Sequence, residues 1–200
     1  MLPSSRFLVN RLMKDVDFEQ ARNIVELGVG NGCVTREILR RMRPEARLLS
    51  LEINPVFVEA GRRLEDERLT VVQACAAELP VILQEEGIDG VDAVVSSLPL
   101  SIMDRQVVDR VMEGSRMSLR PGGRFVQYQY SLRDHERLSR TFGDVAVGFT
   151  VLNIPPAFVY TCSASDAGQA TDRKAPPSLG SLYAAALAAV AFAVRSLQNL

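Results

Sequence analysis

Short apolar, β-branched runs alternate with segments of helical period along most of the chain. Asn23 to Gly28 (NIVELG), Arg47 to Ile53 (RLLSLEI), Leu69 to Ala74 (LTVVQA) and Val91 to Leu98 (VDAVVSSL) are rich in apolar residues. That is the pattern of parallel strands buried on both faces. Thr35 to Met42, Pro55 to Leu64 and Leu79 to Glu85 separate them as helical stretches. Asp104 to Leu119 is another, with Val107, Val108, Val111, Met112 and Met117 near helical spacing. The RPGG run then turns the chain into a fifth strand, Arg124 to Ser131, and a helix follows from Asp134 to Phe142. Two further strands, VAVGFTVLNI and AFVYTC, flank Pro155-Pro156 and predict an antiparallel hairpin at a sheet edge. Strands alternating with helices predict an α/β fold with a mostly parallel, doubly wound sheet.

Composition narrows the field. A chain of 200 residues suits one domain with a full core. A net charge of −1 supplies no global attraction for nucleic acid. Cys33, Cys75 and Cys162 are scattered without CxxC spacing, and a single His without HExxH leaves no metal site expected. The opening MLPSSRFLVNRLMK has no continuous apolar core of the secretory kind. Ser163 to Gly180 is small, polar and proline-containing, a linker. In the Ala-rich tail, the apolar run from Leu182 to Val194 is shorter than the ~20 residues of a spanning helix. A helix packed on the body or a partner is expected there, with a membrane-surface helix or a span as the alternatives.

The chemistry starts at ELGVGNG. Gly28, Gly30 and Gly32 follow the first strand and precede a helix, in GxGxG spacing rather than the dinucleotide form GxGxxG. Glycines let the backbone turn tightly and approach a ligand, and the helix N-terminus favours an anionic group. Glu52 closes the second strand, where a carboxylate can bind both hydroxyls of a ribose. The set fits S-adenosylmethionine (SAM), with an NAD site or a bare tight turn as the other readings. Glu26 stands where SAM enzymes hold the methionine amino group, its carboxylate expected to face the loop amides.

The runs ELGVGNG, LEI, SSLPLS, QYQYS and LNIPPAFVY, in this order, resemble the bacterial SAM-dependent phospholipid N-methyltransferases. These are the soluble phosphatidylethanolamine methylases related to ribosomal-RNA adenine dimethylases. The resemblance runs from Met1 to about Cys162. It implies a class I methyltransferase fold, Rossmann-like, with a mostly parallel seven-stranded sheet and helices on both faces. It also implies stepwise methylation of a lipid amine, towards phosphatidylcholine. The expected cofactor contacts are Glu26, Gly28, Gly30, Asn31, Gly32, Glu52, Ile53, Ala76, Ala77 and Ser96. In QACAAEL, Cys75 replaces the Asp that usually meets the adenine amino group. Losing that charged hydrogen bond costs roughly 1.5–3 kcal/mol if nothing replaces it.

The adenine dimethylases carry Asn-Leu-Pro-Tyr where this chain has Ser97-Leu98-Pro99-Leu100. Pro99 holds the preceding residues extended, leaving carbonyls free to accept from an amine. Leu100 removes the aromatic platform for a base, which favours an aliphatic amine. Ser97, with Tyr128 and Tyr130, is therefore the expected catalytic set, and Leu98, Pro99, Leu100 and Tyr160 the substrate contacts. A neutral strand tip places an amine without trapping it as ammonium, while the tyrosines can face a methylated ammonium. His135, flanked by Arg133, Asp134, Glu136 and Arg137, reads as a solvated helix start rather than a base.

Three regions are expected. Residues 1–22 form an amphipathic membrane-docking helix or lid, 23–162 the methyltransferase domain, and 163–200 the linker and tail helix. In the first, Phe7 and Leu8 lie on an apolar stripe edged by Arg6, Arg11 and Lys14, suited to an anionic bilayer surface. A helix capping the sheet fits the same pattern. The partners expected are a phospholipid substrate and an anionic membrane, with no nucleic acid and no metal, at the inner face of the cell membrane. An RNA adenine methylase and a SAM-binding membrane module without catalysis are the competing readings.

Overall fold

The computed structural model describes residues 6–150, 153 and 156–164, together with the isolated positions 180 and 184. Its strands are β1 (Asn23–Leu27), β2 (Arg47–Glu52), β3 (Leu69–Gln73), β4 (Val91–Ser96), β5 (Leu119–Gln129), β6 (Gly143–Thr150) and β7 (Ala157–Ala164). The helices are α1 (Arg6–Met13), α2 (Cys33–Arg41), α3 (Pro55–Arg62), α4 (Leu79–Glu85), α5 (Arg105–Ser118) and α6 (His135–Phe142). One seven-stranded sheet runs β3-β2-β1-β4-β5-β7-β6. Strands β1 to β5 are parallel, while β7 runs antiparallel between β5 and β6. The strand order reverses at β1/β4, so their carboxyl ends open a crevice of the kind that binds ligands in open α/β sheets.

Side-chain alternation divides the core between the two faces. Val25, Leu27, Val94 and Phe125 pack with α4, α5 and α6 through residues such as Ile82, Val108, Val111 and Leu138. Ile24, Leu48, Val95 and Val126 pack on the other side against Leu8 and Leu12 of α1 and Ile38 of α2. Local signals set the helix starts. Asn54 accepts from Val56 N–H ahead of Pro55, and Asp104 accepts from Gln106 and Val107 N–H.

The RPGG run is part of β5 rather than a separating turn. Leu119 pairs with Val91 and Arg124 with Ala93, so Arg120 to Gly123 stand opposite Asp92 alone as a bulge. Pro121 and Gly122 are exposed at its corner. The tail helix expected after Ser181 lies outside the described residues, as does most of the linker.

The N-terminal helix corrects one expectation. Leu8, Val9, Leu12 and Met13 are buried against the sheet, so the apolar stripe closes the core and Leu8 cannot meet a bilayer. Arg11 pairs with Asp15 and packs on Gly148, and Asp15 also accepts from the Thr161 hydroxyl at 2.7 Å. Arg6 and Lys14 stay exposed, as does Phe7 at 57%.

Candidate active site

The loop after β1 takes the left-handed conformation at Gly28, Gly30 and Gly32 (φ 87°, 52° and 76°), which side-chain-bearing residues rarely adopt. Gly28 N–H donates to Leu51 O, and Gly30 N–H donates to Glu52 Oε2 at 3.1 Å. The other Glu52 oxygen accepts from Asn54 N–H at 2.9 Å. The carboxylate is thus fixed at the tip of β2 beside the loop. Ile53 follows it, 68% exposed, an apolar surface next to the acid. Asn31 is exposed and its Oδ1 accepts from Cys33 N–H. A Cβ built on Gly30 meets nothing within 4 Å, so the mouth of the loop is open.

Glu26 lies beneath the loop, fully buried. Thr35 donates to both carboxylate oxygens at 2.9 Å and Ser50 to one at 2.7 Å, so hydroxyls rather than loop amides hold it. Burial drives its pKa up to about 7 despite those two hydroxyls, and Glu52 raises it further. A buried carboxyl of this kind is suited to a nearby cationic group. An open glycine loop, a fixed terminal acid and a buried carboxyl together fit the methionine and ribose parts of SAM.

Where the adenine loop is expected, Cys75 N–H donates to Glu78 and the Cys75 sulfur caps the short 3-10 turn Ala76–Glu78. Ala76 is buried, and Ala77 packs against the core. Ser96 is buried at the end of β4, its hydroxyl facing Leu98 N–H at 3.4 Å.

The strand end abuts the glycine loop. A Cβ on Gly28 would lie 3.3 Å from Leu98 and 3.8 Å from Ser97. Ser97 N–H donates to Leu27 O, which keeps the chain alongside β1, and Pro99 is exposed. Leu100 starts a 3-10 turn and is buried in the core, so it lines no opening. Gln127 Nε2 donates to Leu98 O at 2.9 Å, tying β5 to this tip.

Alternation along β5 separates the QYQY residues. Tyr128 and Tyr130 stack edge to face at 5.9 Å, Tyr128 packing on the α1 side and Tyr130 half-exposed. Gln127 and Gln129 are buried on the opposite face, the side of Tyr160. Tyr160 is itself fully buried and donates to Ser131 O, so it is a wall residue apart from the other tyrosines. His135 is buried too, its ring 6.2 Å from that of Tyr160, and burial lowers its pKa. The solvated helix start expected there is therefore a packed one.

Among the described residues, the buried side-chain polar atoms without a partner belong to the ends of β4 and β5, to α6 and to the loop before it. They are Ser97 Oγ, Gln127 Oε1 and Gln129 Nε2 on the strands, and Ser131 Oγ, Asp134 Oδ2, His135 Nε2 and Ser139 Oγ at α6. Sequence reasoning passed over the glutamines. Their signal was two long amides alternating within an otherwise buried strand, where such residues are uncommon. A cavity of about 440 Å³ lies at the far, amino-terminal edge of the sheet, lined by Leu83, Ile88, Met117 and Leu119, away from these groups.

The methyltransferase-domain family matches residues 24–123. The chain is 33% identical to the ornithine lipid N-methyltransferase of Singulisphaera acidiphila over 165 residues, 81% of this chain and 86% of that one. It is also 33% identical to the ribosomal RNA small subunit methyltransferase H of an Azoarcus species, over 36% of this chain and 23% of that protein. The expected kinship with adenine dimethylases gains no support from these relatives. Among solved structures, the O-methyltransferase from Bacillus cereus in complex with SAH aligns with TM-score 0.63 at 17% identity, covering 80% of this chain and 81% of that one. The O-methyltransferase TomG from Streptomyces achromogenes in complex with SAM aligns with TM-score 0.63 at 19% identity, covering 82% of each chain. At such identities the likeness is one of fold. With its strand order, its glycine loop and the family match across β1 to β5, the chain belongs to the methyltransferase-domain family, in the class I fold.

Proposed function

We propose that this chain is a SAM-dependent N-methyltransferase acting on the primary amine of a membrane amino lipid. The observation that carries the reading is the uncharged tip of β4. Ser97 and Leu98 pack against Gly28, Ser97 Oγ is buried without a partner, and no carboxylate lies among them. The likeness to an ornithine lipid N-methyltransferase supports a lipid acceptor.

SAM supplies a methyl group activated by a sulfonium. The glycine loop, Glu52 and Glu26 would hold its ribose and methionine parts, and Ile53, Ala76 and Ala77 its adenine. Ser97 and Leu98 hold the acceptor nitrogen in line with the methyl carbon, where alignment provides most of the catalysis. The new N–C bond forms as the C–S bond breaks, S-adenosylhomocysteine departs, and a proton leaves to water. An alkyl ammonium must first lose a proton, and a desolvated site beside a sulfonium favours the neutral amine. A carboxylate at this tip would oppose that loss.

Phosphatidylethanolamine and ornithine lipid both offer such an amine on an anionic head group, and both are acceptors under this reading. The lipid comes from the bilayer, with Arg6, Phe7 and Lys14 on the outer side of α1 as the membrane contacts. Among the described residues no helix is long and apolar enough to cross a membrane.

The test is transfer of labelled methyl from SAM to vesicles of phosphatidylethanolamine or ornithine lipid, with and without anionic lipid. Label in the mono-, di- or trimethylated lipid, increased by anionic vesicles, supports both acceptor and docking. SAM binding without lipid label overturns the lipid assignment.

A further inference from the structure

We infer that Gln127 is a substrate-binding residue whose Oε1 accepts an N–H of the acceptor amine, while Gln129 Nε2 and His135 Nε2 receive the anionic part of the same head group. The inference rests on the amino-lipid reading above and names how that lipid is held.

Gln127 is the unpartnered residue whose orientation is fixed. Its Nε2 donates to two carbonyls, Leu98 O at 2.9 Å and Tyr128 O at 2.6 Å. Turning the amide over would set its oxygen against both carbonyl oxygens, so the network itself assigns the atoms. The amide oxygen is left buried and unpartnered beside the strand tip. A buried acceptor without a donor is costly, and such a group in a folded protein calls for a ligand or an equivalent partner. An amide oxygen accepts from an amine as a carboxylate does, but without a charge to hold the extra proton.

The neighbouring groups supply the opposite polarity. Gln129 lies two residues on, on the same face of β5, and the unpartnered end of its amide can present an N–H. Two residues of strand span roughly 6.6 Å. An amine and an anion a few bonds apart, as in an ethanolamine phosphate or an ornithine head group, can therefore reach both amides. His135 and Ser139 are one turn apart on α6 and leave Nε2 and a hydroxyl unpartnered, the His135 ring lying 6.2 Å from that of Tyr160, the residue paired with Gln127. Acceptors near the strand tip and donors towards α6 make a zwitterion the matching ligand.

This arrangement has a kinetic signature. A neutral primary amine attacking through its lone pair keeps two N–H groups for Ser97 and Gln127. A monomethylated amine keeps one and a dimethylated amine none. Gln127→Met should therefore lower kcat/KM about 10-fold more for the primary amine than for the dimethylated lipid, with the monomethylated lipid between them, any loss from freeing the Leu98 carbonyl being common to all three. SAM affinity by calorimetry should stay within about 3-fold of wild type, which confirms an intact fold. Gln129→Met should raise KM for all three lipids while leaving the ratios between them unchanged.

The experiment compares these variants with wild type on vesicles of the primary, monomethylated and dimethylated lipids. The graded loss supports the inference, and equal losses on all three lipids, or none, overturn it. If Q127M fails to bind SAM, Q129M decides: a raised KM with constant ratios supports the head-group site, and an unchanged KM overturns it. Absence of transfer by the wild type overturns the amino-lipid reading and this inference together, whereas wild-type transfer without the graded pattern overturns the inference alone.

Discussion

Gly30 and Glu52 are joined by a hydrogen bond from the loop N–H to the strand-tip carboxylate at 3.1 Å. The acid read as the ribose ligand is therefore also a brace for the glycine loop. Glu52→Ala removes both roles and should weaken SAM binding roughly 10- to 100-fold, the range of one charged hydrogen bond. Glu52→Gln keeps an acceptor for Gly30 and should lose less. Calorimetric titration with SAM ranks the two variants.

Glu26 gives the protein a pH signature. Its pKa rises from 4.5 to about 7 on folding because the carboxyl is buried. Between those values the folded state binds more protons than the unfolded one, so stability falls as pH rises through this window. The full effect is about 3 kcal/mol, present below pH 4.5 and lost above pH 7. Thermal melts without SAM at pH 5 and pH 8 should show this loss, and Glu26→Gln should remove most of it.

The same carboxyl couples cofactor binding to protons. A methionine ammonium near Glu26 favours its ionised form, so SAM affinity should increase with pH up to about 7. Calorimetry in buffers of different ionisation enthalpy should register a released proton near pH 6. No such release from wild type would place the cationic group elsewhere.

Gly28 faces the end of β4 at φ 87°, and an added Cβ would press on Leu98 at 3.3 Å. Gly28→Ala should cost about 1–2 kcal/mol in stability through the left-handed backbone alone. It should also reduce turnover, since the same methyl displaces the strand tip. Chemical denaturation separates the first effect from the second.

On α1, Leu8 and Phe7 should behave oppositely. Leu8 is fully buried, so Leu8→Ala should destabilise the fold by about 2–4 kcal/mol. Phe7 is 57% exposed, so Phe7→Ala should leave the melting temperature nearly unchanged while weakening sedimentation with anionic vesicles. An equal effect on vesicle binding from the surface charges alone would reduce the membrane contact to Arg6 and Lys14.

The parallel sheet and glycine loop were legible because both depend on local pattern. Period-two and helical spacing mark the elements, and Gly28, Gly30 and Gly32 sit where only such residues turn freely. Periodicity does not name what covers an apolar stripe, so α1 satisfied a bilayer and a sheet equally well until Leu8 and Leu12 were placed. Alternation placed Tyr128 and Tyr130 on a shared face but could not say which face of β5 meets the strand tip. The sequence pattern points to the aromatics, and the structure adds Gln127, which donates to the Leu98 carbonyl. His135 was misread for the same reason: its charged neighbours are local, whereas its burial beside Tyr160 is set by how α6 returns onto the sheet.

The bulge in β5 separates two kinds of variation. Everything irregular about the strand is absorbed between Val91/Leu119 and Ala93/Arg124, and from there the pairing runs unbroken to Ser96 and Gln127. The corner at Pro121-Gly122 is exposed and at the opposite end from the strand tips. Residues can be added or removed at that corner without changing which side chain stands opposite Ser96. In the laboratory it is the place to insert a tag or a fluorophore into a working enzyme.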